Sequence, residues 1–428
     1  MLNIGELMYE RARALFPINR SLTGNGVRET LSYIKKIIPE LTVHQVPSGT
    51  QAFDWTVPKE WHIEEAYILD PSGNRICDFQ TCNLHLMGYS VPVDSVMPLD
   101  ELQKHLYSIP SLPDAIPYVT SYYKENWGFC LSHKQRQTLP KGDYKVVIKS
   151  SLFDGFLNYG EVIIPGKSEK EVLLSTYVCH PSMANNELSG PVVSTALAEA
   201  IKNMDNPEYT YRILFLPETI GSIVYINKHL ARLKQHLHAG FIVTCVGDER
   251  DYSYLSSRQE DSLADKVAMH TLKHHTKKYT KYNFLDRGSD ERQFCSPGVN
   301  LPVCSIMRSK YGTFPEYHTS LDDLSLITPL GLKGAYDALL TAIKVIEFNW
   351  IYKVTSPCEP QLGKRGLYPN TSDMQQDYSD VRRMTNFLAY ADGTRDLIDI
   401  AEKINESALS LIPIVEVLTS NGLVERIY

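Results

Sequence analysis

No stretch of this sequence approaches the roughly 20 consecutive apolar residues that span a bilayer, so no membrane-spanning helix is expected. The N-terminal segment MLNIGELMYERARALF breaks its apolar pattern with Glu6, Glu10, Arg11 and Arg13. It lacks the uninterrupted apolar core of a secretory leader. The eight cysteines form no Cys-X-X-Cys pair, and they read as mostly buried thiols of a reducing compartment. Positive charge is in deficit: 43 Lys and Arg stand against 50 Asp and Glu, a net −7. That balance gives the chain as a whole no electrostatic footprint for nucleic acid. Internal repeats and low-complexity tracts are missing as well. The expectation is a cytoplasmic globular protein, and 43% hydrophobic with 22% charged residues suits a globular chain. At 428 residues the chain exceeds one ordinary core, so two or three domains are expected.

Three changes of character divide it. Residues 5–38 show helical periodicity, split by Pro17 and by Gly24-Asn25-Gly26. From Thr42 to about 155 short alternating runs and turns suggest a β-rich module. From GEVIIPG onward, apolar strands alternate with helices: VLLSTYV, then 191–203; YRILFLP, then 221–236; AGFIVTCV, then 261–277; NLPVCSIM, then 329–350. Near-continuous apolar strands between helices predict an α/β fold with a doubly wound, mainly parallel sheet. The N-terminal helices are expected to pack on it. This gives a catalytic domain of residues 1–45 and 156–355 and an inserted β-rich domain of 46–155. Residues 353–380, with Pro357, Pro360, Gly363, Gly366 and Pro369, read as a linker. Helices and a final strand over 370–428 predict a winged helix.

Four segments offer chemistry. His180 ends an apolar strand and precedes a loop with Asn185, Asn186 and Glu187, at the carboxyl end where open α/β sheets bind ligands. Glu218 ends YRILFLPE, where poor solvation would raise its pKa toward that of a general base. It is equally placed to interact with a helix dipole. LDRGSDERQF gathers Asp286, Arg287, Asp290, Glu291 and Arg292, a charge cluster that solvent alone could explain. In FPEYHTSLDD, Thr319 or Ser320 could cap a helix. His318 is the residue there without a structural reason.

In this order the segments resemble the zinc aminopeptidases of phosphorylase/hydrolase-like fold. Those enzymes carry a strand-end ligand histidine, an Asp-Asn-X-Ser-Gly loop whose Asp bridges two metals, Glu-Glu-X-Gly, Ser-Asp-His-X-X-Phe and Tyr-His-Thr-Pro. Here the counterparts are His180, Asn186-Glu187-Leu188-Ser189-Gly190, Glu218-Thr219-Ile220-Gly221, Ser289 to Phe294, and Tyr317-His318-Thr319-Ser320. The match covers roughly residues 156–350. The whole chain is similar to bacterial aminopeptidase-like proteins linked to polysaccharide biosynthesis, which have an inserted β domain and a C-terminal winged helix.

The departures shape the expectation. Asn186 stands for the bridging Asp and Thr219 for a metal-binding Glu, while Thr244 and Cys245 occupy the position of a third carboxylate. Two divalent ions need an anion between them, so one Zn²⁺ is expected, held by His180, Glu187 and His318 with a position open for water. Asn186 and Asp290 are alternative or supporting ligands, and Glu218 matches the family's general base. Arg287, Arg292 or Arg308 would hold a substrate carboxylate or phosphate. The implied activity is hydrolysis of a peptide or of an N-acyl or aminoacyl small molecule. The alternative is a hydrolase-like fold without metal that binds a peptide, sugar or partner. The winged helix is expected to serve protein contact or self-association, because ESALSLIPIVEVLTSNG has no basic residue to offer a major groove.

Overall fold

The structure, a computed structural model, describes residues 3–368 and 379–427. Residues 369–378 of the expected linker lie outside the described residues. Two compact units emerge, one of Met1–Ala264 with Thr280–Tyr336, the other of Asp265–Tyr279 with Asp337–Tyr428.

In the first unit, α1 (Ile4–Leu15) starts at a capping box in which Asn3 and Glu6 bond each other's backbone N–H. Met8, Ala12 and Leu15 form its buried stripe. In α2 (Asn25–Ile37), Val27, Leu31 and Ile34 do the same. After β1 (Thr42–Pro47) the chain leaves the main sheet. It builds a small antiparallel sheet from β2 (Glu60–Leu69), β3 (Val93–Pro98) and β4 (Asp143–Phe153), in the order Arg75–Ile76, β2, β4, β3. It returns through β5 (Phe156–Ile164), which pairs antiparallel with β1 from Pro47↔Phe156 to Thr42↔Glu161. Residues 48–155 therefore leave and re-enter at adjacent strand ends.

The main sheet is completed by β6 (Glu171–Tyr177), β7 (Thr210–Leu216), β8 (Leu237–Ile242), β9 (Ser253–Leu255), β10 (Thr280–Tyr282) and β11 (Val303–Met307). Its order is β1-β5-β7-β6-β8-β11-β9-β10. The middle four strands run parallel, and antiparallel pairs flank them. Every residue of β6 is buried, which is why EVLLSTY reads as a continuous apolar run rather than an alternating one. Between strands lie α3 (Ser189–Lys202), which packs on β6 and against α1, and α4 (Ile220–His236), which packs on β5 and β8. The fold is mixed α/β with a mainly parallel central sheet, and loops at the carboxyl ends of its parallel strands carry the candidate site.

The second unit holds α5 (Leu263–His275) from Asp265 onward and the C-terminal part of α6 (Pro329–Phe348). It continues through β12 (Ile351–Val354), α7 (Ser379–Tyr390), β13 (Asp392–Asp396), α8 (Leu397–Ile404), α9 (Ala408–Ser420) and β14 (Val424–Ile427). The three strands form an antiparallel sheet in the order β13-β12-β14. β12 thus lies upstream of residue 370, where the sequence reading starts this module. Four residues, IYKV, are too few for alternation to register as a strand. No helix among the described residues is long and apolar enough to cross a membrane.

Candidate active site

His180 lies three residues beyond β6 and is 3% exposed. Its Nδ1 is 2.9 Å from Glu187 Oε2, and its Nε2 is 3.6 Å from Glu218 Oε2. The loop that brings Glu187 back to it is tied down by Asp322, whose two carboxylate oxygens accept the N–H groups of Asn185 and Asn186. The same loop carries Asn186, whose Nδ2 donates to the Tyr177 hydroxyl at 2.8 Å. Asn186 Oδ1 is buried with no hydrogen-bond partner.

Glu218 follows β7 by two residues. Its Oε1 accepts from Ser289 Oγ at 2.8 Å, and its own N–H donates to Cys179 Sγ at 3.1 Å. Thr219 has φ 65° and its N–H donates to Asp290 Oδ1 at 2.8 Å. Asp290 also accepts from Ser222 Oγ. His318 too has a positive φ, 57°, and its ring stacks on Tyr317 at 3.9 Å. The rings of His180 and His318 are 5.4 Å apart between centroids, and Tyr118 is edge-on to both. His318 Nε2 is buried without a partner. Left-handed backbone at non-glycine residues is strained, and here it occurs at residues that aim side chains into one place.

Burial decides the electrostatics. It lowers His180 to about 3, helped by the Arg20 charge, and His318 to about 3, helped by His180. Both imidazoles are therefore neutral near pH 7. Burial raises Glu218 to about 8, with Asp290 adding to the rise, and raises Asp290 to about 6. Burial pushes Glu187 up as well, and the buried Arg20 charge beside it pulls it back down. The first unit also buries carboxylates for structure, and those behave differently. At Glu161 and Glu171 burial is the largest influence and pushes upward, but bonds from Tyr225, Arg212 and Arg232 outweigh it and hold both low. At Glu218 and Asp290 the bonds from Ser289, Thr219 and Ser222 do not outweigh burial, which is the pattern of functional groups.

A cavity of about 350 Å³ is lined by His180, Glu218, Thr219, Arg292 and His318. Trp55, Tyr118 and Tyr122, from the segment between β1 and β5, line it too. That segment is fixed to the His318 loop by Tyr118 N–H donating to the His318 carbonyl and by Ser320 N–H donating to the Ile116 carbonyl. Arg292 donates to Thr219 Oγ1 at 2.7 Å. Arg287 is exposed and stacks over Phe284, and Arg308 lies over the Tyr252 ring; neither lines the cavity.

The structure therefore brings together His180, Asn186, Glu187, Glu218, Asp290, Arg292 and His318, and leaves Arg287 and Arg308 apart. Arg20, Trp55, Tyr118 and Tyr122 had no motif to reveal them. Cys179, His180 and Glu187 have ligand atoms mutually within 4.8 Å, and so do His270, His274 and Glu402 of the second unit. His318 belongs to neither compact set. The residues present fit one cation: His180 and His318 line the cavity, and His318 Nε2 and Asn186 Oδ1 are buried without a hydrogen-bond partner. Asn186 offers an amide, not the anion that two adjacent divalent ions need between them.

Residues 9–349 match the sequence profile of a domain of unknown function, DUF4910, and residues 350–426 match a winged helix-turn-helix. A Clostridium acetobutylicum protein, provisionally named for polysaccharide biosynthesis with an aminopeptidase-like domain, is 48% identical over 400 residues, covering 93% of this chain and 91% of that protein. A crystal structure from the same organism, provisionally described as a peptidase, superposes with a TM-score of 0.92 at 45% identity over 99% of this chain and 96% of that one. The zinc aminopeptidase BSAP of Bacillus subtilis shares the fold, with a TM-score of 0.57 at 13% identity over 80% of this chain and 94% of its own.

Proposed function

The chain belongs to the DUF4910 family, and from that premise we propose that its first unit hydrolyses amide bonds with one bound zinc ion. This reading takes the unit as a doubly wound, phosphorylase/hydrolase-like catalytic domain with residues 46–155 inserted. The substrate is a peptide or an N-acyl or aminoacyl small molecule. The clostridial relative's name supports a place in polysaccharide biosynthesis.

The observation that carries the reading is the pair of imidazoles at the cavity, His180 and His318, 5.4 Å apart between ring centroids, with His318 Nε2 buried and unpartnered. A buried polar atom without a partner costs about 1–3 kcal/mol, and a cation relieves several at once. His180 Nε2, His318 Nε2 and the Asn186 amide oxygen would hold it. Glu187, a ligand candidate by sequence, acts instead behind His180, as carboxylates commonly do behind a metal-binding imidazole. A bound zinc would supply a Lewis acid and lower the pKa of its water.

The protein's own groups do the rest. Ser289 anchors Glu218 Oε1, leaving Oε2 to take a proton from the attacking water. As that water's oxygen joins the carbonyl carbon and the C–N bond breaks, Oε2 returns the proton to the leaving nitrogen. Trp55, Tyr118 and Tyr122 limit solvent entry, and Arg292 offers a cation to a substrate carboxylate.

Purification without chelator, followed by metal analysis and zinc-dependent assays on aminoacyl and N-acyl substrates, tests this. Near one zinc per chain is expected, falling close to none in His180→Ala and His318→Ala. Glu218→Gln should keep the metal and lose about 10²–10⁴-fold in turnover. A wild-type chain that neither holds zinc nor responds to it would support the second reading, a metal-free binding protein. The amide at Asn186 favours that one.

A further inference from the structure

Arg20 lies in the loop between α1 and α2 and is 1% exposed. Its Nε donates to the His180 carbonyl at 3.0 Å, and its Nη1 donates to the Leu15 carbonyl at 2.8 Å. Nε is also 3.3 Å from Glu187 Oε1, both side chains being wholly buried. Glu187 Oε2 then meets His180 Nδ1. One arginine thus grips one histidine twice, at its main chain directly and at its ring through Glu187.

Stability is a poor reason for this arrangement. Removing a guanidinium and a carboxylate from water costs about as much as their attraction returns, and apolar replacements are often neutral or better. Direction is a better reason. Arginine only donates, and its charge 3.3 Å from Glu187 Oε1 favours the ionised carboxylate against the push of burial, so that Oε2 accepts a proton from His180 Nδ1. With Nδ1–H fixed, Nε2 is left as a bare lone pair turned to the cavity.

We propose that Arg20 is a positioning residue that, through Glu187, fixes the tautomer and pose of His180. The use of that lone pair rests on the zinc reading above, but the tautomer does not. The N-terminal helical segment is thereby part of the site.

The test is nitrogen-15 NMR of the imidazoles in metal-free full-length protein, with His180 assigned by loss of its signals in His180→Gln. Wild type is expected to show Nδ1 protonated and Nε2 bare. Arg20→Lys should retain that state, and Arg20→Met should lose it in favour of a mixture. If Arg20→Met does not fold, Arg20→Met with Glu187→Met removes both charges and preserves packing; the same tautomer loss is expected there. Zinc affinity should fall about 10–100-fold in the variants that lose the tautomer. An unchanged Nδ1–H signal in a folded Arg20→Met protein, or in the double variant, overturns the proposal. A wild type that binds no zinc but shows the tautomer shift leaves Arg20's role intact and removes the zinc reading instead.

Discussion

On the one-zinc reading proposed above, Asn186 is the residue that sets the metal count. Its Oδ1 has no donor and its Nδ2 is taken by Tyr177, so the side chain presents a neutral oxygen where the resemblant enzymes present an anion. Asn186→Asp restores that anion almost isosterically. Without metal it buries a charge 1% exposed that has no cation beside it, which is costly. The variant is therefore expected to melt lower than wild type in EDTA and to recover more than wild type when zinc is added. Its zinc affinity should rise at least tenfold, about 1.4 kcal/mol. Paired melts in EDTA and zinc, with calorimetric titration, read this out. Zinc-independent melting of the Asp variant would mean that Oδ1 does not face an ion.

At the scale of elements, α9 shows how a histidine cluster can be structural. His270 Nε2 accepts the N–H of Ala408, the first residue of α9, at 2.9 Å, while Nδ1 lies 2.6 Å from Glu402 Oε1. Both ring nitrogens are occupied, so His270, His274 and Glu402 offer a cation little despite their proximity. The histidine satisfies one of the unpaired N–H groups that begin a helix. Burial is the main reason its pKa is lowered, Lys273 and His274 add to the lowering, and Glu402 opposes it. A depressed folded pKa means the stabilisation is complete above the unfolded value of about 6.5 and is lost as pH falls through the folded one. Protection of residues 405–412 against hydrogen exchange, taken relative to the intrinsic rate at each pH, should therefore fall below about pH 6.5. His270→Leu should cost about 1–3 kcal/mol by orphaning that N–H and abolish this pH dependence; a slope that persists in the variant refutes the cap. These elements also show what the sequence could disclose. β6 and β7 were legible because strands buried on both faces are continuously apolar, and α8 because its apolar residues recur at helical spacing. Glu187 could be placed near His180 by its seven-residue separation, but not on a particular nitrogen. Arg20 and Tyr118 were invisible, because their contacts with the site span 160 residues to the His180 carbonyl and 200 to that of His318. The strained φ of Thr219 and His318 left no glycine to mark it.

The whole molecule joins a winged helix to an aminopeptidase-like unit in one chain. A DNA-reading module places its second helix in the major groove and reaches bases and phosphates with Arg, Lys or amide side chains. That element here is α9, ALSLIPIVEVLTS, which has no basic residue and carries Glu416. Elsewhere in the same unit Lys266, Lys273, Arg383 and Arg395 each pair with a carboxylate of that unit. Releasing those cations to phosphates would break pairs already made, and the acidic chain as a whole adds repulsion. Phosphate neutralisation supplies most non-specific affinity, so little of either kind of binding is expected. Selection of the full-length protein against random duplex DNA at 50 mM salt should enrich no motif, with affinities no tighter than the non-specific range of about 10⁻⁴–10⁻⁶ M. Sedimentation of the same protein should instead reveal self-association that depends on the α9 surface. Leu409, 37% exposed at its start, is the position where an Asp substitution would weaken it. An enriched motif bound below micromolar concentration would make the module a DNA reader and reverse this assignment, because no rearrangement of α9 can add the cations it lacks.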